Sequence, residues 1–188
     1  MNDSERTQLR RRLLKMLKDS FVYSNDPIFT LASGRKSHFY IDCKKVTLDP
    51  EGAFLTGLLF LDQIEGLEAD AIGGLTLGAD PIVSVVSVLS FERGEPVPAF
   101  IVRKDPKPYG VQPFIEGNLT REARVAVVDD VLTGGRSTER TIKLIEETGC
   151  RVVKVIALID RKEGGAGRLE GLGYEVESLF TVEDLLKA

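Results

Sequence analysis

The spacing of hydrophobic positions predicts a mainly parallel β-sheet that is flanked by helices. Apolar-rich runs typical of buried strands occur at 69–73, 97–102, 124–128, 152–159 and 175–180. Between these runs the sequence predicts helices at 54–64, 81–89 and 138–148, and a further helix from Val182. Each is indicated by apolar residues at helical spacing or by an apolar run that follows a helix-start signal. Because strands alternate with helices, the chain is predicted to belong to the α/β class.

The N-terminal segment does not follow this alternation. A helix is predicted from Asp3 to Lys18, with an apolar stripe made of Leu9, Leu13, Leu14 and Leu17. The β-rich runs of 28–42 flank a turn at Ser33 to Lys36 and predict a hairpin. We expect residues 1–48 to form a small hood over the C-terminal edge of the sheet, within a single domain that spans 1–188.

Composition narrows the classes of protein that fit. The chain has 188 residues, of which 43% are hydrophobic and 29% charged, as in ordinary globular domains, and its net charge of −4 argues against a nucleic-acid partner. The absence of a long apolar run and of signal-peptide features leads us to expect a cytoplasmic protein with no membrane partner. Cys43 and Cys150 lie far apart and are predicted to be buried thiols.

The most informative stretch joins the run 124–128 to the following helix. It contains the acid pair Asp129 and Asp130 and then a loop rich in glycine and hydroxyl groups, formed by Val131, Leu132, Thr133, Gly134, Gly135, Arg136 and Ser137. Backbone N–H groups and the helix dipole favour an anion at such a loop, and the carboxylates favour a donor-rich group such as ribose hydroxyls. The stretch therefore predicts a site for a phosphorylated sugar. The alternative is an ordinary α/β loop in which the carboxylates cap the next helix.

This stretch resembles the phosphoribosyl-pyrophosphate (PRPP) motif of the type I phosphoribosyltransferases. Arg136 is the one bulky residue where that family usually has a small one. The resemblance implies that residues 129–137 bind PRPP and that Asp129 and Asp130 belong to the catalytic site. It also implies Mg²⁺, held through the substrate and bridged by water to Asp129 and Asp130, with no direct protein ligand.

Three further segments make the chain similar to the orotate phosphoribosyltransferases. They are the hood residues from Ser33-Gly34 through Ser37 to Asp42, the basic loop with Arg103, Lys104, Lys107 and Tyr109-Gly110, and Asp160-Arg161. The resemblance implies an orotate site made of Phe39, Tyr40, Ile41, Thr133 and Arg161. It implies that Arg103, Lys104, Lys107 and Tyr109 bind PRPP and that the first three act on the pyrophosphate leaving group.

The implied reaction converts orotate and PRPP into orotidine 5′-phosphate and pyrophosphate, in de novo pyrimidine biosynthesis. The resemblance also implies a homodimer in which the 103–117 loop is shared between subunits. Ala32 replaces a lysine that many members carry, Tyr109 replaces a histidine, and Leu77-Gly78 lacks a Tyr-Lys pair. The alternatives are transfer to another base and a regulator that binds PRPP without catalysis.

Overall fold

The computed structural model describes residues 1–30, 34, 36–106 and 114–187. The helices are α1 (Asp3–Asp19), α2 (Lys44–Thr47), α3 (Pro50–Ile64), α4 (Asp80–Glu92), α5 (Arg136–Glu146), α6 (Gly165–Glu170) and α7 (Val182–Lys187). The strands are β1 (Phe21–Tyr23), β2 (Phe29–Thr30), β3 (Lys36–Ser37), β4 (Phe39–Ile41), β5 (Ala71–Leu75), β6 (Ala99–Val102), β7 (Ile115–Gly117), β8 (Arg124–Leu132), β9 (Arg151–Asp160) and β10 (Val176–Thr181).

The central sheet has six strands in the order β10-β9-β8-β5-β6-β7. All neighbouring strands run parallel except β6 and β7, which are antiparallel. Parallel strands bring their carboxyl ends to one edge, where open α/β sheets bind ligands. The predicted α/β class with a mainly parallel sheet is confirmed.

Both faces of the sheet are covered, which explains the uninterrupted apolar runs. In β8, Val125 and Val127 pack into the core under α5, whereas Ala126 and Val128 pack into the core shared with α1, α3 and α4. Successive strand residues point to opposite faces, so a strand covered on both sides needs apolar residues at every position.

Start signals in the sequence place two of these helices. The Asp49 carboxylate accepts hydrogen bonds from the backbone N–H groups of Glu51 and Gly52 at the beginning of α3, where Pro50 takes the first helical position. At α1, the Asn2 side chain accepts from the N–H of Glu5. Within 1–30, 36–106 and 114–187, no helix is long and apolar enough to cross a bilayer.

Several boundaries differ from the sequence prediction. β8 continues through the acid pair to Leu132, and α5 begins at Arg136 rather than Thr138. The strand β7 lies inside the segment 103–117, which was predicted to be a loop throughout. The short elements β1, α2 and α6 were not predicted, because each is too short to produce a hydrophobic period.

The predicted hairpin is correct for its inner part only. β2 pairs antiparallel with β3, with Phe29 opposite Ser37. The second half of the run behaves differently, since β4 pairs with β1 and places Phe39 opposite Tyr23. The predicted turn residues Ser33 and Arg35 lie outside the described residues, as does Ala32.

Candidate active site

The loop that follows β8 is shaped by close backbone contacts. Gly135 precedes α5 with φ of 74°, a conformation that favours glycine, and a Cβ on it would lie 2.9 Å from the carbonyl oxygen of Gly165. A Cβ on Gly165 would in turn overlap the carbonyl of Thr133. The start of α6 therefore packs directly against the loop, and glycines on both sides make this approach possible.

The other predicted loop residues differ in what they present. Arg136 and Ser137 are exposed in the first turn of α5, and Gly134 is half-buried with open space around it. The Leu132 side chain is fully buried in the core, so only its backbone adjoins the loop. The N-terminus of α5 thus has exposed residues, one of them with a hydroxyl group, at a position that favours an anion.

Asp129 faces α5. Its Oδ2 accepts a hydrogen bond of 2.6 Å from the hydroxyl of Thr138, which is itself buried. Burial raises the pKa of Asp129 to about 7, and the neighbouring Asp130 charge adds to the rise, while the Thr138 hydrogen bond opposes it. A carboxyl group with this pKa changes charge near neutral pH.

Asp130 points the other way, toward the hood. The ammonium of Lys44 lies 3.9 Å from its Oδ2 and 2.9 Å from Oδ1 of Asp42. Burial raises the pKa of Asp130, whereas the Lys44 charge opposes the rise. On its other side Asp130 contacts Gly78, where any Cβ would overlap the carboxylate.

Gly78 belongs to the loop after β5, which forms a further wall of the site. The peptide between Thr76 and Leu77 is cis, and the Thr76 hydroxyl donates to Oδ2 of Asp80 at 2.7 Å. Leu77 is 66% exposed. Because Gly78 contacts Asp130, this loop meets the end of β8 at the same edge of the sheet.

Arg161 connects the sheet to the hood. Its backbone N–H donates to the carbonyl of Leu132, which places it beside the loop after β8. Its guanidinium donates to the Ser37 hydroxyl at 2.9 Å and lies 4.2 Å from the centre of the Phe39 ring. The side chain is only 5% exposed.

The hood residues predicted to contact orotate are not equivalent. Phe39 is half-buried beneath the guanidinium, and Tyr40 is 46% exposed with its ring 6.0 Å from that of Phe29. The Ile41 side chain is 7% exposed and lies in the core. Phe39 and Tyr40 therefore offer aromatic surface, while Ile41 has little side-chain surface left for a ligand.

The basic loop is described only at its two ends. Arg103 donates to Oε1 of Glu116 at 3.3 Å and to the carbonyl of Asp105, so it bridges the two ends. The Lys104 side chain is exposed, and its carbonyl accepts from the Arg140 guanidinium of α5 at 3.1 Å. Lys107 and Tyr109 lie outside the described residues.

Comparisons with known proteins agree on one family. A family model described as a phosphoribosyl transferase domain matches residues 79–172. The orotate phosphoribosyltransferase of Thermosynechococcus vestitus is 45% identical over 184 residues, covering 97% of this chain and 96% of that protein. The protein of the same name from Aquifex aeolicus is 40% identical over 178 residues, covering 94% of this chain and 97% of that protein. The chain belongs to the orotate phosphoribosyltransferase family.

A solved orotate phosphoribosyltransferase has the same fold. The crystal structure of the Mycobacterium tuberculosis H37Rv enzyme in complex with PRPP matches with a TM-score of 0.78 and 31% identity, covering 94% of this chain and 98% of that one. The predicted family and the predicted class of enzyme, a phosphoribosyltransferase acting on orotate, are confirmed. The individual site residues remain predictions.

Four residues at this edge of the sheet were given no role by the sequence. Thr138 entered the sequence analysis only as the first residue of the predicted helix 138–148, and its hydroxyl is directed at Asp129. Ser37 appeared only as part of the hood pattern, and Lys44 only within the range 1–48 of the predicted hood. Glu163 gave no signal. A charged or hydroxyl residue near a strand end has many possible partners, so the sequence did not single these out.

Proposed function

We propose that the chain transfers the ribose 5-phosphate group of PRPP to N1 of orotate, releasing pyrophosphate and forming orotidine 5′-phosphate for pyrimidine biosynthesis. The observation that supports this most directly is the backbone hydrogen bond from Arg161 to Leu132. It brings a buried guanidinium next to the loop that follows the acid pair. A carboxylated base and a sugar phosphate would then share one edge of the sheet.

The sugar phosphate would bind at the loop and the start of α5. The 5-phosphate would accept hydrogen bonds from backbone N–H groups of 133–137 and from the hydroxyls of Thr133 and Ser137. The carboxylates of Asp129 and Asp130 would accept from the ribose hydroxyls. They adjoin this loop in the strand, so one ligand of the length of a ribose phosphate can engage both parts.

Orotate would bind between Arg161 and the hood. Its carboxylate matches the planar guanidinium, which can donate two parallel hydrogen bonds. Its flat ring matches an aromatic surface, and Phe39 supplies one beside Arg161, while the exposed Tyr40 ring lies by Phe29 in the same hood. Thr133 would lie near the base because it follows Leu132, whose carbonyl is bonded to Arg161.

The leaving pyrophosphate gains negative charge as the C1–O bond breaks. Arg103, Lys104 and Lys107 carry positive charges that are suited to neutralise it. The hydrogen bond from Arg140 to the Lys104 carbonyl supports this role, because it ties the beginning of the loop to the helix of the sugar-phosphate site.

The donor set at the end of β8 fits Mg²⁺. Asp129 and Asp130 provide carboxylate oxygens that can accept hydrogen bonds from metal-bound waters, and Mg²⁺ beside phosphates usually keeps several waters. The ion would be held mainly by PRPP oxygens, with water bridges to these two residues. It would supply charge neutralisation for the pyrophosphate.

The chain is also proposed to form a homodimer. Large apolar side chains are exposed on α3 and α4, with Phe54 at 49%, Val88 at 60% and Phe91 at 75%. The two helices pack closely where Gly57 contacts Val85. Exposed apolar surface of this kind favours an interface with a second copy. The cytoplasmic location and the single-domain organisation stay predictions.

The deciding experiment follows the ultraviolet absorbance of orotate with purified protein, PRPP and Mg²⁺. Parallel reactions contain adenine, hypoxanthine, xanthine or uracil instead of orotate. Loss of the orotate signal that requires PRPP is expected. Turnover of another base in its place would identify a phosphoribosyltransferase with a different acceptor. PRPP binding detected by calorimetry without turnover of any base would favour the regulator.

A further inference from the structure

The Arg161 guanidinium is held from three directions. Its Nε donates to Oε1 of Glu163 at 2.9 Å, its Nη2 donates to Oγ of Ser37 at 2.9 Å, and its plane lies over the Phe39 ring. An arginine this deeply buried needs an anionic partner, because an unpaired buried charge is strongly unfavourable. Glu163 is the carboxylate that contacts the guanidinium directly.

The other acidic residue nearby is already engaged. Asp160 accepts from the backbone N–H of Lys162 at 2.7 Å and pairs with the Lys162 ammonium at 3.1 Å. Lys162 therefore pairs with Asp160, and Glu163 pairs with Arg161. The two carboxylates therefore have different cationic partners within four consecutive residues.

The Ser37 hydroxyl is oriented to accept from Arg161. It donates its own hydrogen to the Phe39 carbonyl at 2.9 Å and accepts from the Phe39 N–H at 3.2 Å. Phe39 therefore acts twice. Its ring lies beneath the guanidinium, and its backbone orients the Ser37 hydroxyl that accepts a hydrogen bond from Nη2. Ser37 is 7% exposed, so water competes little for these bonds.

These contacts leave a defined part of the guanidinium for a ligand. Arginine has five N–H donors, and the described residues of this chain occupy Nε–H and one donor on Nη2. The remaining donors on Nη1 and Nη2 form the edge that can grip a carboxylate bidentately. A small rotation of the guanidinium would break that alignment, and small misplacements of binding groups are costly in catalysis.

We propose that Glu163 is a positioning residue that orients Arg161 so that its free edge meets the orotate carboxylate, with Ser37 fixing the same group from the hood. This inference rests on the proposed function and names the residues that set its specificity for a carboxylated base. Glu163 acts through Arg161 and contributes nothing to the binding of PRPP.

The test compares Glu163→Ala with Glu163→Gln in steady-state kinetics. Alanine removes the acceptor for Nε–H and should raise KM for orotate about tenfold or more while KM for PRPP changes less than about twofold. Glutamine keeps an acceptor oxygen and should restore most of the orotate affinity. Glu170→Ala, an exposed acid at the end of α6, is the matched control and should behave as the wild type.

A double-mutant cycle shows whether the effect passes through Arg161. In an Arg161→Ala background, Glu163→Ala should add no further loss in orotate KM, because the group that it positions is gone. Unchanged orotate KM in Glu163→Ala, an equal rise in both KM values, or an additive cycle would each overturn the inference.

Two further measurements distinguish a Glu163 variant that does not fold from a failure of the proposed function. If Glu163→Ala does not fold, Ser37→Ala decides by the same KM comparison, since it removes the second acceptor from the hood side. Wild-type turnover of orotate is measured in every series. Its absence would overturn the proposed function itself, whereas its presence with normal orotate KM in the variants would overturn only the role of Glu163.

Discussion

The hydroxyl of Thr138 lies 2.6 Å from Oδ2 of Asp129 and donates a hydrogen bond to it. This contact opposes the pKa rise that burial causes in Asp129, and the balance leaves the pKa at about 7. If ionised Asp129 accepts hydrogen bonds from the ribose hydroxyls, kcat/KM for PRPP should change with pH near neutrality. The contact therefore leads to a pH-dependent prediction.

Replacing Thr138 by valine should shift the acid limb of the pH profile. The hydrogen bond stabilises the charged carboxylate, so its loss raises the pKa of Asp129 further. On acidification, kcat/KM for PRPP should therefore fall at a pH about one unit higher than in the wild type. The profile is measured with saturating orotate. Thr141→Val is the matched control, because that hydroxyl is also buried but donates to the Ser137 carbonyl. Identical shifts in both variants would contradict the role of Thr138.

Asp129→Asn should abolish most activity and yet stabilise the fold at high pH. The pKa of Asp129 is raised in the folded protein, so the folded state binds more protons than the unfolded state between about pH 4 and pH 7, and wild-type stability falls as the pH rises through this window. The side chain of Asp129→Asn does not ionise, so the variant does not lose this stability as the pH rises. Its free energy of unfolding relative to wild type should therefore increase by about 2 kcal/mol between about pH 5 and pH 8.

Urea unfolding at both pH values measures this difference. Asp19→Asn, at the exposed end of α1, is the control and should show a constant difference from wild type. A relative stability of Asp129→Asn that is the same at both pH values would show that the buried carboxylate is not destabilised by ionisation.

Arg161→Ala should impair orotate use far more than PRPP binding. A charge-assisted bidentate contact is lost, and kcat/KM for orotate should drop about 100-fold while the calorimetric affinity for PRPP changes less than about threefold. Arg151→Ala is the control at the opposite end of β9, where the side chain is exposed. Equal losses for both substrates would count against the assignment of Arg161 to orotate.

Lys104→Ala should lower turnover without changing stability. Its side chain is exposed, and the bond to Arg140 uses its backbone carbonyl, which the substitution keeps. If the ammonium neutralises the leaving pyrophosphate, kcat should fall about tenfold to a hundredfold with an unchanged melting temperature. Lys15→Ala on α1 is the control. Normal turnover of the Lys104 variant would remove this side chain from the mechanism.

Phe91→Glu should weaken the proposed dimer. The side chain is 75% exposed on α4, so the monomer has little need of it, whereas a charge placed in an apolar interface is unfavourable. Sedimentation velocity should show a shift from dimer to monomer, and activity should fall if the 103–117 loop is shared. Glu92→Gln, the next residue, tests whether any change at this end of α4 has the same effect. A variant that stays dimeric would exclude this surface.

The sequence by itself determined the class of the fold and predicted where a sugar-phosphate site would lie along the chain. Continuous apolar runs specify strands covered on both faces, and helical periods between them specify the parallel arrangement. The acid pair and residues 131–137 are contiguous in the chain, so their proximity needed no tertiary information. Arg161 could be placed at the same edge because parallel strands end together.

Tertiary structure decided where the acid pair lies and what surrounds it. Polar residues suggested that the strand ends before Asp129, but backbone pairing continues, with Val131 opposite Ile159 and Leu132 opposite Asp160. Hydrogen bonding to β9, which does not depend on side-chain polarity, keeps the carboxylates within β8.

The contacts that orient the charged groups could also not be predicted from the sequence. Lys44 reaches Asp130, and Ser37 reaches Arg161 across 124 positions of the chain, because the hood packs on the ends of β8 and β9. Hydrophobic periodicity records which face of an element is buried, but it does not record which distant polar group will meet another. Only the packing of the hood against the sheet brings these partners within hydrogen-bonding distance.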